Sequence, residues 1–512
     1  MTATSRGTTP SDARHLEVRR GAYHDSVTLM VVSQDVARQP GVRSALVAMA
    51  TPLNLDLIAR AGFEPGDAGP NDLVIAISAE DEAALGAARV AVDAALADDG
   101  AGGGGGLEGT AEEAPRTLGR AARHGGAGLA LVSVPGEHAF TEAIDALHAG
   151  ANVMVYSDNV PLAHEVALKA EGRRRDRLVM GPDAGTAIVG GVGLGFANVT
   201  RPGPVGLVSA SGTGAQQVCA LLDAADVGVS HVLGVGGRDL SADVGAASTL
   251  QALDALDRDP ATEAIVLLSK PPDKAVAERV REAAAACDTP VVLGLVGRGE
   301  RDLTEVTDAV LALLGLVPRP APTWSPAEPV TGGFEVLRGL FAGGTLCDEA
   351  MVIAADALGP IRSNVPLEDD WALAAHEPLG GVDGAAHAMV DYGEDELTAG
   401  RPHPMIDNTI RADRLAAEAR TGHRTVVVLD VVLGHAAHPD PAGELAPVIA
   451  DARRAATDAG GALAAVVSLI GTGDDPQGLE RQAQALIAAG AQVHLSNAAA
   501  ARAALDLLGG AR

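Results

Sequence analysis

The chain has 512 residues, enough for about three to four domains, and with 47% apolar but only 2% aromatic residues its core must consist of Ala, Val, Leu and Ile. Thirty-eight Lys and Arg residues against 67 Asp and Glu residues give a net charge of −29, which argues against a nucleic-acid or anionic-membrane surface. The three cysteines, Cys219, Cys287 and Cys347, are far apart and form neither a disulfide framework nor a paired-cysteine metal motif.

The N-terminal region predicts a tail, a small module and a linker. Residues 1–14 are polar, and a disordered tail is predicted there. The N-terminus also lacks the apolar core of a secretory signal. No apolar run reaches the roughly 20 residues of a membrane helix, and a cytoplasmic location is expected. Alternating apolar runs over 15–97, with the first predicted strand at 25–33, indicate a ferredoxin-like α+β module. The Gly-rich stretch 98–115 predicts a flexible linker.

From residue 116 onwards, strand and helix patterns alternate as in a multidomain α/β protein. Residues 116–203 predict a Rossmann-like domain, and two doubly wound, flavodoxin-like domains follow at 204–317 and 333–512. The five prolines of 318–330 mark a Pro-rich linker over 318–332. The predicted strands are 128–134 and 151–157 in the first of these domains, 205–209, 231–235, 264–268 and 290–294 in the second, and 425–433, 461–471 and 491–496 in the third.

Residues 205–214, VGLVSASGTG, run from a predicted buried strand into a turn of small and hydroxyl residues before a helix. In an open parallel sheet, ligands bind at the carboxyl ends of the strands. A helix N-terminus there offers free amides and the positive end of its dipole to an anion. Gly212 and Gly214 would let the backbone close on a phosphate, and Ser211 and Thr213 would add hydroxyl groups. The alternative is a tight structural turn.

Two further turns occupy comparable positions. GVGGRD (234–239) follows the next predicted strand, where Gly236 and Gly237 allow a close backbone approach and Arg238 offers two parallel donors to an anion. IGTGDDPQ (470–477) is a second Gly-Thr-Gly turn in the last domain. Its candidate phosphate-binding residues are Gly471, Thr472 and Gly473. The two Gly-Thr-Gly turns could face one ligand across a domain junction, or each could be a structural turn.

The stretch GRPHPMIDNTIR (400–411) holds three candidate catalytic residues. Prolines flank His403 and stiffen its loop, while Asp407 and Arg411 follow at i+4 and i+8. A His–Asp–Arg set is typical of sites that bind an anionic carbonyl substrate or move a proton. A solvated loop with a capping aspartate is the alternative.

The stretch LDVVLGHAAHPDPAGE (429–444) places an acidic residue, Asp430, inside an otherwise apolar strand. A carboxylate buried in this way is costly unless it is paired, so Asp430 is a candidate catalytic group. His435 and His438 follow at i, i+3 spacing, but no third metal ligand is evident and no metal site is predicted.

These motifs resemble those of known enzyme families. The stretch from GPDAG (181–185) through VGLVSASGTG, GVGGRD and DPATEAIVLL resembles the α subunit of succinyl-CoA synthetase over about residues 118–300. The second α/β unit resembles the ligase domain of that enzyme's β subunit. GRPHPMIDNTIR, DVVLGHAAHPDP, GDDPQ and SNAAAA resemble the FdrA family, a one-chain relative, and this resemblance runs from about residue 24 onwards.

The resemblance implies that Gly-Thr turns at helix starts bind phosphate. It also implies that residues 116–203 form a CoA-binding-type domain, with CoA or a nucleotide as candidate ligands. In succinyl-CoA synthetases a phosphate-carrying histidine lies in the loop after the strand that matches PVVLGLVG (290–297). This chain continues RGERDLTEVTDAV, without a histidine.

Three functions remain open. The resemblance to FdrA implies a subunit of the oxamate carbamoyltransferase type, which converts oxalurate and phosphate to oxamate and carbamoyl phosphate in allantoin catabolism. That function implies a small anionic substrate, partner subunits and a homo- or hetero-oligomer. The second is an ADP-forming acyl-CoA ligase that uses His435 as its phosphocarrier. The third is a non-catalytic subunit that binds a small molecule.

Overall fold

The computed structural model describes all residues except 1–12, 23, 25, 65, 102–114, 329, 374–378, 380–385, 399–400 and 509–512. The chain divides into two units, residues 1–113 and residues 114–512. Both contain mixed layers of helices and sheets, as the predicted fold class requires. Within the described ranges, no helix combines the length and the apolar character needed to cross a lipid bilayer.

The N-terminal unit is a small α+β module built on a three-stranded antiparallel sheet, with β3 in the centre between β1 and β2. Its elements are β1 (Ala13–Arg19), α1 (Ser26–Ala37), β2 (Val42–Met49), α2 (Pro52–Arg60), β3 (Leu73–Ala79) and α3 (Glu82–Ala101). Helix α3 extends into the stretch predicted as a linker at 98–115. Residues 102–114 of that linker and residues 1–12 of the predicted tail lie outside the described residues.

The strand predicted at 25–33 is wrong, because residues 26–33 belong to helix α1. Leu29, Val32 and Val36 are buried at i, i+3 and i+7, whereas Val31 between them is 53% exposed. This is the spacing of one helix face. The four consecutive apolar residues 29–32 concealed the helical period of the buried positions.

The second unit begins with a three-stranded parallel sheet in the order β4-β5-β6, the Rossmann-like sheet. Its elements are α4 (Leu118–Gly125), β4 (Leu129–Val132), α5 (Gly136–His148), β5 (Asn152–Val155), α6 (Leu162–Arg174) and β6 (Val179–Met180). The predicted strands at 128–134 and 151–157 correspond to β4 and β5.

The second sheet of this unit has six strands in the order β12-β11-β9-β10-β7-β8. Its elements are β7 (Thr186–Val189), β8 (Val192–Gly195), β9 (Pro202–Ser209), α7 (Gly212–Ala224), β10 (Val229–Gly234), α8 (Ala247–Asp257), β11 (Ala264–Ser269), α9 (Lys274–Ala286), β12 (Val291–Leu295) and α10 (Leu303–Leu313). Strands β9 to β12 are parallel. The hairpin β7–β8 pairs antiparallel onto β10, so residues before the predicted boundary at 203 complete this sheet.

The third sheet also has six strands, in the order β13-β18-β17-β16-β14-β15, and all are parallel except β13. Its elements are β13 (Thr323–Trp324), β14 (Val336–Phe341), α11 (Gly344–Leu358), β15 (Ala388–Asp391), α12 (Asp395–Thr398), α13 (Thr409–Glu418), β16 (Arg424–Val432), α14 (Pro441–Asp458), β17 (Ala462–Ile470), α15 (Leu479–Ala488), β18 (Gln492–His494) and α16 (Asn497–Leu508). Strand β13 lies within the predicted Pro-rich linker, where it pairs with β18.

Helices from the second and third sheets share one hydrophobic core. Val218 of α7, Val306 of α10, Leu346 of α11 and Ala504 of α16 belong to the same buried cluster. Buried hydrogen bonds reinforce this packing, because the side-chain amide of Gln217 donates to the Leu495 carbonyl at 3.0 Å and accepts from the Asn497 amide at 2.9 Å. The two sheets are therefore fixed against each other through α7 and α11.

Candidate functional site

The N-terminal ends of α7 and α11 meet at the carboxyl ends of β9 and β14. The Ser211 hydroxyl, which caps α7 by accepting from the Gly214 amide at 2.9 Å, donates to the Thr345 hydroxyl at 2.6 Å. A methyl group added at Gly343 would lie 2.6 Å from Oγ1 of Thr213. We call Ser211–Gly214 together with Gly343–Thr345 the helix junction. Two positive helix ends converge there, which is the arrangement that favours an anion.

The α11 side of the junction was missed in the sequence. FAGGTL (341–346) runs from a buried strand through two glycines and a threonine into a helix, which is the same pattern as SASGTG. Gly343 is required on steric grounds because Thr213 fills the space beside it. The strand-to-glycine-to-helix signal was therefore present, but β14 itself was not among the predicted strands.

Two ionisable side chains, Lys270 and Asp391, flank the first residue of α11. Lys270 directly follows β11, and Asp391 ends β15. A methyl group added at Gly344 would lie 2.6 Å from Nζ of Lys270 and 2.5 Å from Oδ2 of Asp391. Neither residue was singled out from the sequence, because strands of two different sheets bring them together.

Further carboxyl groups surround Lys270. Burial lowers the pKa of Lys270, but the carboxylates of Asp348, Asp391 and Glu394 outweigh this and raise it above the ordinary value, so this side chain stays cationic. The nearest of these oxygens is Oε1 of Glu394, 3.5 Å from Nζ. Burial raises the pKa of Asp348 to about 6, against the opposing effect of Lys270.

Asp183, from the GPDAG turn, faces the same region. Its side chain is reached by solvent, yet protein surrounds it on most sides, and this partial desolvation together with Asp395 and Asp158 raises its pKa to about 7. Lys270 acts in the opposite direction on the same group. Asp183, Asp158 and Asp395 therefore form an acidic wall near Lys270.

The GVGGRD turn packs against this wall. Gly236 has a φ of +87°, and a methyl group there would lie 2.2 Å from the Pro182 carbonyl oxygen, so only glycine fits. Gly237 lies beside Asp183. Nε of Arg238 lies 3.0 Å from Oε2 of Glu165, so the cation predicted to bind phosphate is paired with a carboxylate.

His403 lies next to the helix junction, against the loop after β15. Its ring packs on Phe196 with centroids 5.8 Å apart, and a methyl group added at Gly393 would lie 2.7 Å from its Nε2. Burial, aided by Arg411, lowers its pKa to about 4, so the ring is neutral at pH 7. Because Nδ1 accepts from the Met405 amide at 3.2 Å, the proton of the neutral ring is on Nε2.

Arg411 and Asp430 hold the backbone that leads into α11. Asp430 accepts from the amides of Ala342 at 2.7 Å and Gly343 at 2.8 Å, and Nη1 of Arg411 donates to its Oδ1 at 2.7 Å. Both charged side chains are buried. The predicted catalytic carboxylate therefore lies beneath the junction, where it orients the loop.

Two other predicted catalytic residues make contacts away from the junction. Oδ1 of Asp407 accepts from the Thr409 amide at 2.8 Å and from the Thr409 hydroxyl at 2.5 Å, at the start of α13. The backbone amide of His435 donates to the Ala197 carbonyl at 2.8 Å, and its exposed ring lies against Gly193 of β8. The described residues contain no group of three or more His, Cys, Asp or Glu arranged to hold a metal.

The second Gly-Thr-Gly turn, 471–473, is bonded internally. The Thr472 amide donates to Oδ2 of Asp475 at 2.8 Å, and the Gly473 amide donates to Oδ2 of Asp223 at 3.2 Å. The Thr472 hydroxyl donates to the Val199 carbonyl at 2.7 Å. This turn joins the third sheet to the segment before β9, and carboxylates already occupy its amides. Of the three predicted phosphate turns, only Ser211–Gly214 lies at the helix junction.

Comparison with known proteins defines the family. The E. coli (strain K12) relative "Uncharacterized protein YahF" is 36% identical over 496 residues, which is 92% of this chain and 94% of the relative. The chain belongs to the YahF family. Three family models match it: AllF, heavy metal-associated domain, at residues 12–114; Succinyl-CoA ligase like flavodoxin domain, at 202–315; and CoA-ligase, at 340–507.

Part of the chain is also similar to a subunit of a CoA ligase. The ADP-forming succinate–CoA ligase subunit alpha 1 of Archaeoglobus fulgidus is 28% identical over 176 residues, 34% of this chain and 59% of that protein. One match among solved structures is dinucleotide forming acetyl-coenzyme A synthetase 1 of Ca. Korarchaeum cryptofilum, in complex with phosphate and ADP. The match covers 74% of this chain and 84% of that chain. Its sequence identity is 16% and its TM-score 0.28, which is too low for structural inference.

These matches confirm the predicted succinyl-CoA synthetase-like superfamily and the flavodoxin-like fold class. They do not test the narrower assignment to FdrA, which stays a prediction. This member of the YahF family is built from CoA-ligase-like domains, and the helix junction lies where two of them meet.

The N-terminal module does not fit the metal that its family description names. Residues 12–114 contain no cysteine, since the three cysteines of the chain begin at Cys219. The described part of the module also lacks a cluster of metal-ligating side chains. Soft heavy metals prefer thiolate ligands, so we assign no metal chemistry to this module.

Proposed function

We propose that this chain transfers an acyl group between coenzyme A and phosphate, which is the thioester half of an ADP-forming acyl-CoA ligase reaction. The observation that carries the proposal is the helix junction, where the N-termini of α7 and α11 converge. Converging helix ends provide amide donors and positive potential for a phosphoryl group. The CoA-ligase and succinyl-CoA ligase-like family matches support the same reaction class.

In this reaction a phosphate oxygen attacks the carbonyl carbon of the thioester. A C–O bond forms, the C–S bond breaks, and the proton lost by hydrogen phosphate ends on the sulfur of coenzyme A. Negative charge develops on the carbonyl oxygen, and a single preorganised donor stabilises such charge by about 3 kcal/mol. The first amides of α7 and α11 would bind the phosphoryl oxygens, because helix-terminal amides lack partners within the helix.

His403 and the buried ion pair complete the proposed machinery. The Nε2–H group of His403 is a neutral donor beside Gly393, suited to hydrogen bonding with an oxyanion. Arg411 and Asp430 act through position, since Asp430 fixes the Ala342 and Gly343 amides. Coenzyme A is proposed to bind to the Rossmann-like part of the chain, with a nucleotide and partner subunits completing the full ligase reaction.

A second candidate, carbamoyl transfer of the FdrA type, is favoured by two observations. Residues 297–302, where the resemblance to succinyl-CoA synthetase locates a phosphohistidine, contain no histidine, and Nδ1 of His403 is engaged by Met405. In carbamoyl transfer, phosphate itself attacks the terminal carbonyl of oxalurate. The C–O bond of carbamoyl phosphate forms, the C–N bond breaks, and the phosphate proton passes to the nitrogen of oxamate.

One set of assays separates the two candidates. The purified full chain is incubated with phosphate and either acetyl-CoA or succinyl-CoA, and free CoA thiol and acyl phosphate (as the hydroxamate) are measured. In parallel, carbamoyl phosphate and oxamate are supplied and released phosphate is measured. Phosphate-dependent thiol release supports the ligase half-reaction, whereas oxamate-dependent phosphate release supports carbamoyl transfer.

The Gly343→Ala variant tests whether the helix junction is the site. Its methyl group would collide with Thr213, so we expect either activity to fall about 100-fold, the effect of losing an oxyanion donor. Gly125→Ala is the matched control, because nothing lies within 4 Å of a methyl group there. Full activity in Gly343→Ala would refute the assignment of the site, and no activity in either assay by the wild-type chain would refute both reactions.

A further inference from the structure

Lys270 and Asp391 approach the first residue of α11 from two different sheets. Lys270 follows β11 of the second sheet, and Asp391 ends β15 of the third. A methyl group added at Gly344 would contact Nζ of Lys270 at 2.6 Å and Oδ2 of Asp391 at 2.5 Å. Because residue 344 has no side chain, a cation and a carboxyl group can both approach the N-terminus of α11.

The remaining polar atoms of Asp391 are held in place. Its Oδ1 accepts from the Gly393 amide at 2.9 Å. Its backbone amide donates to the side-chain oxygen of Asn364 at 3.0 Å, and its carbonyl accepts from the Asn364 amide group at 2.8 Å. These contacts fix the carboxyl group and leave Oδ2 as the atom that faces Gly344.

We propose that Lys270 and Asp391 are the residues that bind the reacting group of the substrate: Lys270 pairs with a phosphoryl oxygen, and Oδ2 of Asp391 donates a hydrogen bond to the carbonyl oxygen. The inference rests on the proposed function, since it names the residues that hold an acyl or carbamoyl phosphate at the helix junction. Neither side chain forms a covalent bond with the substrate. The substrate class that fits is a carbonyl group bonded directly to phosphate.

The surroundings of Asp391 favour its protonated form at neutral pH. Burial, together with Glu394 and Asp348, raises the pKa of Asp391 to about 8 against the opposing effect of Lys270. Two other groups face the same space: neutral His403 from the loop before α13, whose Nε2 lies beside Gly393, and Arg411 from α13, which interacts with Asp391 electrostatically. A neutral carboxylic acid in such a site can donate a hydrogen bond to an oxyanion.

Lys270 supplies the fixed positive charge that the acid lacks. The carboxylates of Asp348 and Glu394 raise the pKa of Lys270, although burial acts in the opposite direction. The acidic wall beyond it, which includes Asp183, would repel an anion that approached without this cation. The phosphoryl group is therefore expected between Lys270 and the helix amides.

Matched variants of Asp391 test its role as a hydrogen-bond donor. Asp391→Asn keeps a donor but cannot ionise, so it should retain at least a tenth of the wild-type kcat. Asp391→Ala removes the donor and should lower kcat about 100-fold. Wild-type kcat should fall above pH 8, as Asp391 loses its proton, and this decrease should be absent in Asp391→Asn. Asp451→Asn, on the exposed side of α14, is the control for a charge change.

Lys270→Met should raise the KM for phosphate, and the Kd of inorganic phosphate measured by calorimetry, at least tenfold, with partial rescue in Lys270→Arg. Lys274→Met, which changes an exposed lysine at the start of α9, is the control.

If Asp391→Asn is as inactive as Asp391→Ala, or if Lys270→Met binds phosphate normally, the inference is wrong while the proposed function stands. If the wild-type chain neither binds phosphate nor transfers an acyl or carbamoyl group, the proposed function fails and the inference with it.

Discussion

The two Gly-Thr-Gly turns of this chain have the same three residues but differ in the contacts that determine whether they can bind an anion. Gly212–Gly214 begins α7 at the helix junction, where Ser211 contacts Thr345 of the facing helix. In the 471–473 turn, Asp475 and Asp223 accept from the amides of Thr472 and Gly473. A glycine-rich turn can bind an external anion only if the chain does not supply its own carboxylates to the amides.

The largest expected effect comes from exchanging the last glycine of each turn. A methyl group at Gly214 would lie 2.7 Å from Oγ of Ser211 and 3.2 Å from Cγ2 of Thr345, whereas nothing lies within 4 Å of one at Gly473. Gly214→Ala should reduce phosphate-dependent turnover about 100-fold, and Gly473→Ala should leave it unchanged. Steady-state rates at saturating phosphate measure the difference. Equal activities in the two variants would remove the functional distinction between the turns.

A second prediction concerns stability, and here the variant at the 471–473 turn should have the larger effect. Asp475 is buried and accepts from the Thr472 amide, the Val199 amide and the Asn198 side chain, each at 2.8 Å. Asp475→Ala leaves these donors without a partner and should lower the free energy of unfolding by about 3 kcal/mol. The exposed neighbour Asp474 provides the control variant Asp474→Ala.

Urea denaturation of both variants, together with phosphate titration calorimetry, completes this test. Phosphate affinity should stay within twofold of the wild type in both, because the 471–473 turn is structural. A large loss of phosphate affinity in Asp475→Ala at a temperature where it remains folded would show that this turn belongs to the binding site after all.

The smallest expected effect is a change in how the stability of the folded chain depends on pH, and it involves His403 beside the helix junction. The pKa of His403 is about 4 in the folded chain and about 6.5 in an unfolded one, so folding favours the neutral ring. Its contribution to stability is complete above about pH 6.5 and declines as the pH falls towards 4. His403→Gln should therefore lose less stability than the wild type between pH 7 and pH 5.

Urea midpoints at these two pH values measure this effect, with His435→Gln as the control because the His435 ring is exposed. An identical pH dependence in His403→Gln and the wild type would mean that burial of His403 does not couple to protonation.

The sequence was sufficient for those features that depend on local patterns. The parallel strands β9 to β12 and β16 to β18 were predicted close to their observed positions, because each is an apolar run bounded by turn residues. SASGTG was recognised as a strand-to-helix turn for the same reason. Helix α1 was mistaken for a strand, since a continuous apolar run conceals which positions are buried.

What the sequence could not supply were the contacts between distant segments. Lys270 and Asp391 stand 121 positions apart, and only the pairing order of two sheets brings them to Gly344. Asp430 was recognised as a costly buried charge, but its partners at Ala342 and Gly343 lie 88 and 87 positions away. Whether a polar residue meets a substrate or a backbone amide depends on such long-range contacts.

The helix junction has a consequence for behaviour at low concentration. Both halves of it, α7 and α11, belong to one polypeptide and are packed in one hydrophobic core. A site divided between separate subunits disassembles when it is diluted, whereas covalent connection keeps the local concentration of one half around the other high and constant. The phosphate affinity of each molecule should thus be independent of how dilute the protein is, and the two helix ends are always present in a one-to-one ratio.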